Sequence, residues 1–129
     1  YLRSNLALAN CEHPTIVHND IADWNTVVDG ALVTGIMDWD ECFSGDPVFD
    51  FAAVSLFYND AQMEYLKQGY QKTNSLPQSY DQKFDLYTVR YILSKSKIAI
   101  KQLNSRQNDF MQLWLANAIS KLERIMEKI

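Results

Sequence analysis

The chain has 129 residues, 12 Lys and Arg against 16 Asp and Glu, and a formal net charge of −4. That length fits one domain, 1–129, and a hydrophobic fraction of 47% with seven Tyr, six Phe and three Trp excludes a disordered chain. Charge is unevenly placed: residues 1–60 hold ten acidic residues and one basic residue (Arg3), a net −9, while residues 61–129 hold six acidic and eleven basic, a net +5. A nucleic-acid surface on the first half is excluded, because phosphate backbones need clustered Lys and Arg.

No run of about eighteen apolar residues occurs, so no membrane span is expected. The start, Tyr1-Leu2-Arg3-Ser4-Asn5, has neither a Met nor the pattern of a signal peptide, and a trimmed piece of something longer is expected. Two cysteines, Cys11 and Cys42, match neither a disulfide framework nor a zinc-ligand spacing, so a reduced, cytoplasmic setting is expected.

In chain order, residues 1–9 read as the end of a helix, broken at Glu12-His13-Pro14. Thr15-Ile16-Val17-His18, Thr26-Val27-Val28-Asp29 and Leu32-Val33-Thr34-Gly35-Ile36-Met37 are short strand candidates, with Asp29-Gly30 a turn signal between the last two. Residues 15–39 thus form a small β-hairpin island, and four helices are expected after it: an α+β chain, mainly α-helical. Asp46-Pro47 reads as an N-cap with Pro at the first helical position. Residues 48–58 are apolar nearly all round, which marks a buried helix. Asp60 is expected to cap the next helix, to about Lys72. Residues 79–103 and 107–128 make two long helices divided at Asn104-Ser105. The last carries Met111, Leu115, Ala118, Leu122, Ile125 and Ile129, a heptad seam that at this length is expected to pack within the chain rather than form a dimer.

The acidic and amide residues of the island follow an order: His18-Asn19-Asp20, then Asn25, then Asp38 after a hydrophobic strand, then Gly45-Asp46-Pro47 and Asp50. The chemistry that fits this set is metal-assisted phosphoryl transfer. Mg²⁺ takes hard oxygen ligands from one or two side chains and from the nucleotide's phosphates. A further Asp must orient the acceptor hydroxyl and receive its proton. The protein-kinase catalytic loop spaces these groups as His-x-Asp-x₄-Asn with a metal-binding Asp downstream. That spacing makes Asp20 the base and Asn25 and Asp38 the Mg²⁺ ligands. His18 and Asp46 are expected to be structural. Asp50, in an otherwise apolar helix, is expected to accept hydrogen bonds from the loop around His18 and Asp20. Asp40 and Glu41 are candidates to meet a cationic acceptor, with a plain solvated acidic stretch equally open. Cys42 is expected to be a small apolar filler, the aromatics of 49–58 and 84–91 to be core, and Lys95, Lys97, Lys101 and Arg106 to be a solvated helix face.

These motifs together, His18-Asn19-Asp20…Asn25, Ile36-Met37-Asp38-Trp39 and Gly45-Asp46-Pro47…Asp50-Phe51-Ala52, resemble the aminoglycoside phosphotransferase and choline kinase-like family. The resemblance is close over residues 15–53. It implies a two-lobed, protein kinase-like fold that uses Mg²⁺ and ATP or GTP to phosphorylate a hydroxyl of a small molecule. The acceptor could be an aminoglycoside or macrolide antibiotic, or a choline-like or sugar-like compound. Asn19 stands where many members carry Gly and where the choline kinase-like branch often carries Asn. Members commonly carry His-Pro-Gly where this chain has Ile21-Ala22-Asp23-Trp24. The family's first lobe supplies a phosphate-covering Gly-rich loop and a strand Lys. Neither occurs here, because the four glycines are dispersed and residues 1–60 contain no Lys. The chain is therefore expected to be the C-terminal lobe, partnered by a nucleotide-binding lobe, and to bind nucleotide poorly alone. Two other readings are a non-catalytic helical interaction module on the same fold, and a glycosyl transferase using Asp38-Trp39-Asp40 as a metal motif.

Overall fold

The computed structural model describes residues 1–105 and 109–128. It is a mainly helical α+β fold. A 3₁₀ helix at Arg3–Ala9 leads into β1 (Thr15–Val17); a second 3₁₀ turn, Asp23–Asn25, precedes β2 (Thr26–Asp29) and β3 (Leu32–Ile36). After β4 (Phe43–Gly45) come α1 (Val48–Val54), α2 (Asp60–Gln71), α3 (Tyr80–Ser105) and α4 (Asp109–Met126).

The strands make two separate antiparallel pairs, β1 with β4 and β2 with β3. The β2–β3 turn places Gly30 at φ 57°, a left-handed conformation that a residue without a Cβ adopts freely. β1 lies within the expected island and its partner β4 beyond it, so the β-region extends to Gly45. β4 is only three residues long, too short for its sequence to mark its pairing with Thr15–Val17. Gly45 opposes Thr15 and has no room for a side chain, since a Cβ there would stand 2.6 Å from the Phe43 ring.

The core is helical. Val48, Phe49, Phe51, Ala52, Ala53 and Val54 of α1 are all buried, and Phe49 meets Tyr87 and Tyr91 of α3 at ring distances of 5.5 and 6.1 Å. Trp114 and Ala118 of α4 join the same cluster, and Met111, Leu115 and Leu122 pack against it. The heptad positions of α4 are thus used within the chain. Ile129 and Arg106 lie outside the described residues.

Four local expectations are corrected. The helix expected over 48–58 ends at Val54, after which Leu56 and Phe57 close tighter bonds to Ala53 and Val54. Asn59, not Asp60, caps α2: its side chain accepts the Gln62 N–H at 3.0 Å while Gln62 accepts the Asn59 N–H at 2.9 Å, a reciprocal capping box. The first long helix runs through Asn104 to Ser105. Cys42 is exposed rather than a filler, and both cysteines are free. Among the described residues no helix is long and apolar enough to cross a membrane.

Candidate active site

The loop after β1 is held from α1. Asp50 accepts the N–H of His18 at 2.9 Å and that of Asn19 at 2.8 Å, one on each carboxylate oxygen. Burial pushes the Asp50 carboxyl above the usual carboxylate range; the two backbone hydrogen bonds and His18 oppose that push. Asn19 sits at φ 68°, in the left-handed region that Asn tolerates better than most residues. The chain therefore turns sharply just before Asp20.

His18 is buried, with both ring nitrogens engaged. Nε2 lies 2.8 Å from the Met37 carbonyl, and Nδ1 is 3.2 Å from the Asp20 N–H. A neutral ring with its proton on Nε2 satisfies both partners. Trp39 packs on the ring at 4.5 Å and donates its indole N–H to the Ile36 carbonyl at 2.8 Å. His18 thus joins the Asp20 loop to the segment carrying Asp38.

Asn25 is buried, and its amide donates to the Asp20 carbonyl at 2.8 Å and to Asp20 Oδ2 at 3.0 Å. The Asn25 carbonyl accepts the Met37 N–H at 2.8 Å. Met37 is therefore clamped through both its N–H and its carbonyl, and Asp38 follows it directly. Asp38 is exposed, at φ 63°, a second left-handed non-glycine residue. Left-handed residues concentrate where the fold must aim a particular group, and here they flank the candidate chemistry.

These contacts bring Asp20 and Asn25 into direct hydrogen bonding and place Asp38 one residue beyond the clamp. With Nδ2 committed to Asp20, Asn25 Oδ1 is the amide atom left to meet a cation. The Asp38 carboxylate forms no hydrogen bond or ion pair among the described residues. Also among the described residues, no group of three or more His, Cys, Asp or Glu side chains could hold a metal unaided. An amide oxygen and one carboxylate suit a Mg²⁺ that arrives with phosphates and water, and would not suit a resident zinc.

The other candidates lie elsewhere. Asp46 does not touch the loop: it accepts the Val48 N–H at 3.0 Å, pairs with Lys83 and lies 3.4 Å from the Tyr87 hydroxyl. Its influence on the site passes through α1, which carries Asp50. Glu41 is held by an ion pair with Lys95 and by Asn19 Nδ2 at 3.1 Å. Its carboxylate is therefore engaged, and Lys95 is not the free solvated side chain expected. Asp40 is exposed and unpartnered among the described residues. Asp23 accepts the Tyr58 hydroxyl, and Tyr58 is pushed up to about 12, first by burial and then by Asp23. Trp24 packs edge-on against Phe57 at 5.0 Å and Phe110 at 5.6 Å, fixing the far side of the loop. Sequence reasoning missed Lys83, Lys95 and Tyr58, whose acidic partners lie 35 to 54 residues away. No spacing rule reaches that far.

The chain is mainly helical α+β, with an Asp–Asn pair on a strand-end loop and a second Asp one clamp away. The chain belongs to the phosphotransferase enzyme family, APH, whose family model matches residues 2–82. That span includes the loop, both strand pairs, α1, α2 and the start of α3. Comparison with curated proteins and with solved structures finds no match.

Proposed function

We propose that this chain carries the acceptor side of a phosphotransferase that moves the γ-phosphoryl group of ATP or GTP to a hydroxyl of a small molecule. The acceptor class is an aminoglycoside or macrolide antibiotic, or a choline-like or sugar-like alcohol. The observation that carries this reading is the double hydrogen bond from the buried Asn25 amide to Asp20, on a loop shaped by Asp50.

Asp20 orients the acceptor hydroxyl and takes its proton as the hydroxyl oxygen forms its bond to the γ-phosphorus. The bond from that phosphorus to the β–γ bridging oxygen breaks, and the nucleoside diphosphate leaves. The Asn25 bond to Oδ2 holds the Asp20 carboxylate in one orientation, so little reorganisation is needed at the moment of reaction. Asn25 Oδ1 and Asp38 would hold the Mg²⁺, which would supply neutralisation of the negative charge on the transferring phosphoryl group. His18 keeps the two segments in register.

In this reading residues 1–129 are the C-terminal lobe. A nucleotide-binding lobe supplies the phosphate-facing Lys that residues 1–60 lack. The exposed apolar side chains of β2 and β3, Val28, Leu32 and Val33 among them, support a second layer over that hairpin. Two free cysteines support a reducing, cytoplasmic setting.

The test is a Mg²⁺/ATP and Mg²⁺/GTP phosphorylation screen of the complete protein across those acceptors. Removing a general base costs about 10²- to 10⁴-fold, so Asp20→Ala should lose turnover on that scale with nucleotide binding retained. Near-normal turnover by that variant rejects the assignment. Asp38→Ala should weaken Mg²⁺-dependent nucleotide binding, and an unchanged Mg²⁺ titration counts against its role.

A further inference from the structure

Two adjacent residues of the candidate loop reach to either side of Asp38. His18 bonds the Met37 carbonyl at 2.8 Å, on the near side. Asn19 Nδ2 donates to Glu41 Oε2 at 3.1 Å and lies 3.4 Å from the Glu41 carbonyl, on the far side. Asp20 follows Asn19 directly, so two bridges tie the backbone before Asp20 to the two flanks of Asp38. The first bridge is buried at His18; the second ends on Glu41, whose side chain is 48% exposed.

An exposed glutamate keeps one rotamer only if something holds it. Lys95 of α3 does so: it pairs with the Glu41 carboxylate, and its Nζ lies 5.8 Å from the centre of the Tyr91 ring. Tyr91 is buried in the core against Phe49. Burial, and after it the charges of Asp20, Glu41 and Asp50, push the Tyr91 hydroxyl above its ordinary range, so these three carboxylates gather around one ring. The series Lys95, Glu41, Asn19 therefore runs from the helical core to the turn before Asp20. That turn needs support, because Asn19 stands at φ 68°, a conformation that costs a residue with a Cβ more than it costs glycine.

We propose that Glu41, fixed by Lys95, is a positioning residue for phosphoryl transfer: through Asn19 it sets the separation of Asp20 from Asp38, and it does not itself meet the acceptor. The consequence for catalysis rests on the phosphoryl-transfer reading; the bridge itself rests on the hydrogen bonds and the ion pair. In that reading Asp20 faces the acceptor hydroxyl while Asp38 faces the phosphates, so a change in their separation is felt in the chemical step more than in binding. An exposed ion pair adds little to stability, so its loss should move Tm little.

The test compares Glu41→Ala, Glu41→Gln and Lys95→Met in the complete protein, the first also combined with Asn19→Gly. Glu41→Ala should lower kcat about five- to tenfold with the acceptor KM within about twofold of wild type. Glu41→Gln still accepts from Asn19 but cannot form the ion pair, and it should fall between, as should Lys95→Met. In the Asn19→Gly background the turn needs no side chain to hold it, and Glu41→Ala should have no further effect. A second readout needs no substrate. Hydrogen exchange at the Asp20 N–H, which donates to His18 Nδ1, should quicken about threefold or more in Glu41→Ala, but not when Asn19→Gly is already present. The proposal is overturned if kcat is unchanged, including the case where only the acceptor KM rises and Glu41 meets the acceptor after all. It is also overturned if Glu41→Ala acts equally in the Asn19→Gly background, or if exchange at Asp20 is unaltered. A complete protein that phosphorylates none of the acceptors rejects the phosphoryl-transfer reading instead, and the exchange result then decides the bridge by itself.

Discussion

The β2–β3 hairpin and helix α1 are comparably apolar, yet they treat their side chains in opposite ways. Val28, Leu32 and Val33 are 61, 70 and 64% exposed, whereas every apolar residue of α1 is buried. A two-stranded pair has no second layer of its own to bury a face against. Helix α1 lies against α3, and α4 adds to the same core through Trp114 and Ala118. The candidate chemistry therefore sits beside an uncovered hairpin, on a loop shaped by polar contacts together with ring packing at Trp39 and Trp24. The polar contacts reach the core at α1, where Phe49 faces the helices and its neighbour Asp50 faces the loop.

Four perturbations sharpen that contrast. Phe49→Ala should be the most costly, about 3–5 kcal/mol in urea unfolding, because it empties the aromatic contact between α1, α3 and β4. A loss below 1 kcal/mol would mean that α1 is not the anchor. Asp50→Ala should cost about 2 kcal/mol by leaving the His18 and Asn19 N–H groups unpaired. Asp50→Asn, which keeps one acceptor, should fall between it and wild type. Hydrogen exchange at those two amides should quicken in both variants, and unchanged protection would show that the loop holds its shape without Asp50.

The third perturbation is pH. Tyr87 is pushed up to about 12, first by burial and then by the charge and hydrogen bond of Asp46, with Arg90 opposing. A folded-state value above the unfolded one gives stability that is full below the unfolded value of about 10 and lost as pH rises through about 12. The urea midpoint should hold to about pH 9 and then fall across that window. Tyr87→Phe should flatten part of the fall, with Tyr58 contributing in the same window. A slope identical to wild type would assign the alkaline loss elsewhere. The smallest effect is expected from Val33→Thr on the exposed strand, within about 0.5 kcal/mol. A loss of several kcal/mol there would mean that the hairpin is packed and the contrast is false.

Much of this was legible in the residues themselves. The order of His18, Asp20, Asn25 and Asp38 carries the phosphotransferase resemblance, and the match over residues 2–82 shows the family. An acidic residue in an apolar helix demands partners, and Asp50 has them in the His18 loop. Other features were out of reach. Asn59 and Asp60 are both good caps, and only the backbone at Asn59 (φ −77°, ψ 172°) shows which one begins α2. Glu41 reads as a free carboxylate until α3 brings Lys95 to it.

The sequence by itself determined the class of fold, the buried character of α1 and the ordered set of oxygen donors in the β-region. Those depend on periodicity and on residue type along a short stretch of chain. Tertiary structure alone decided which carboxylates are engaged and which strands stay uncovered. Each of these depends on groups far apart in the chain, and only packing sets their distance.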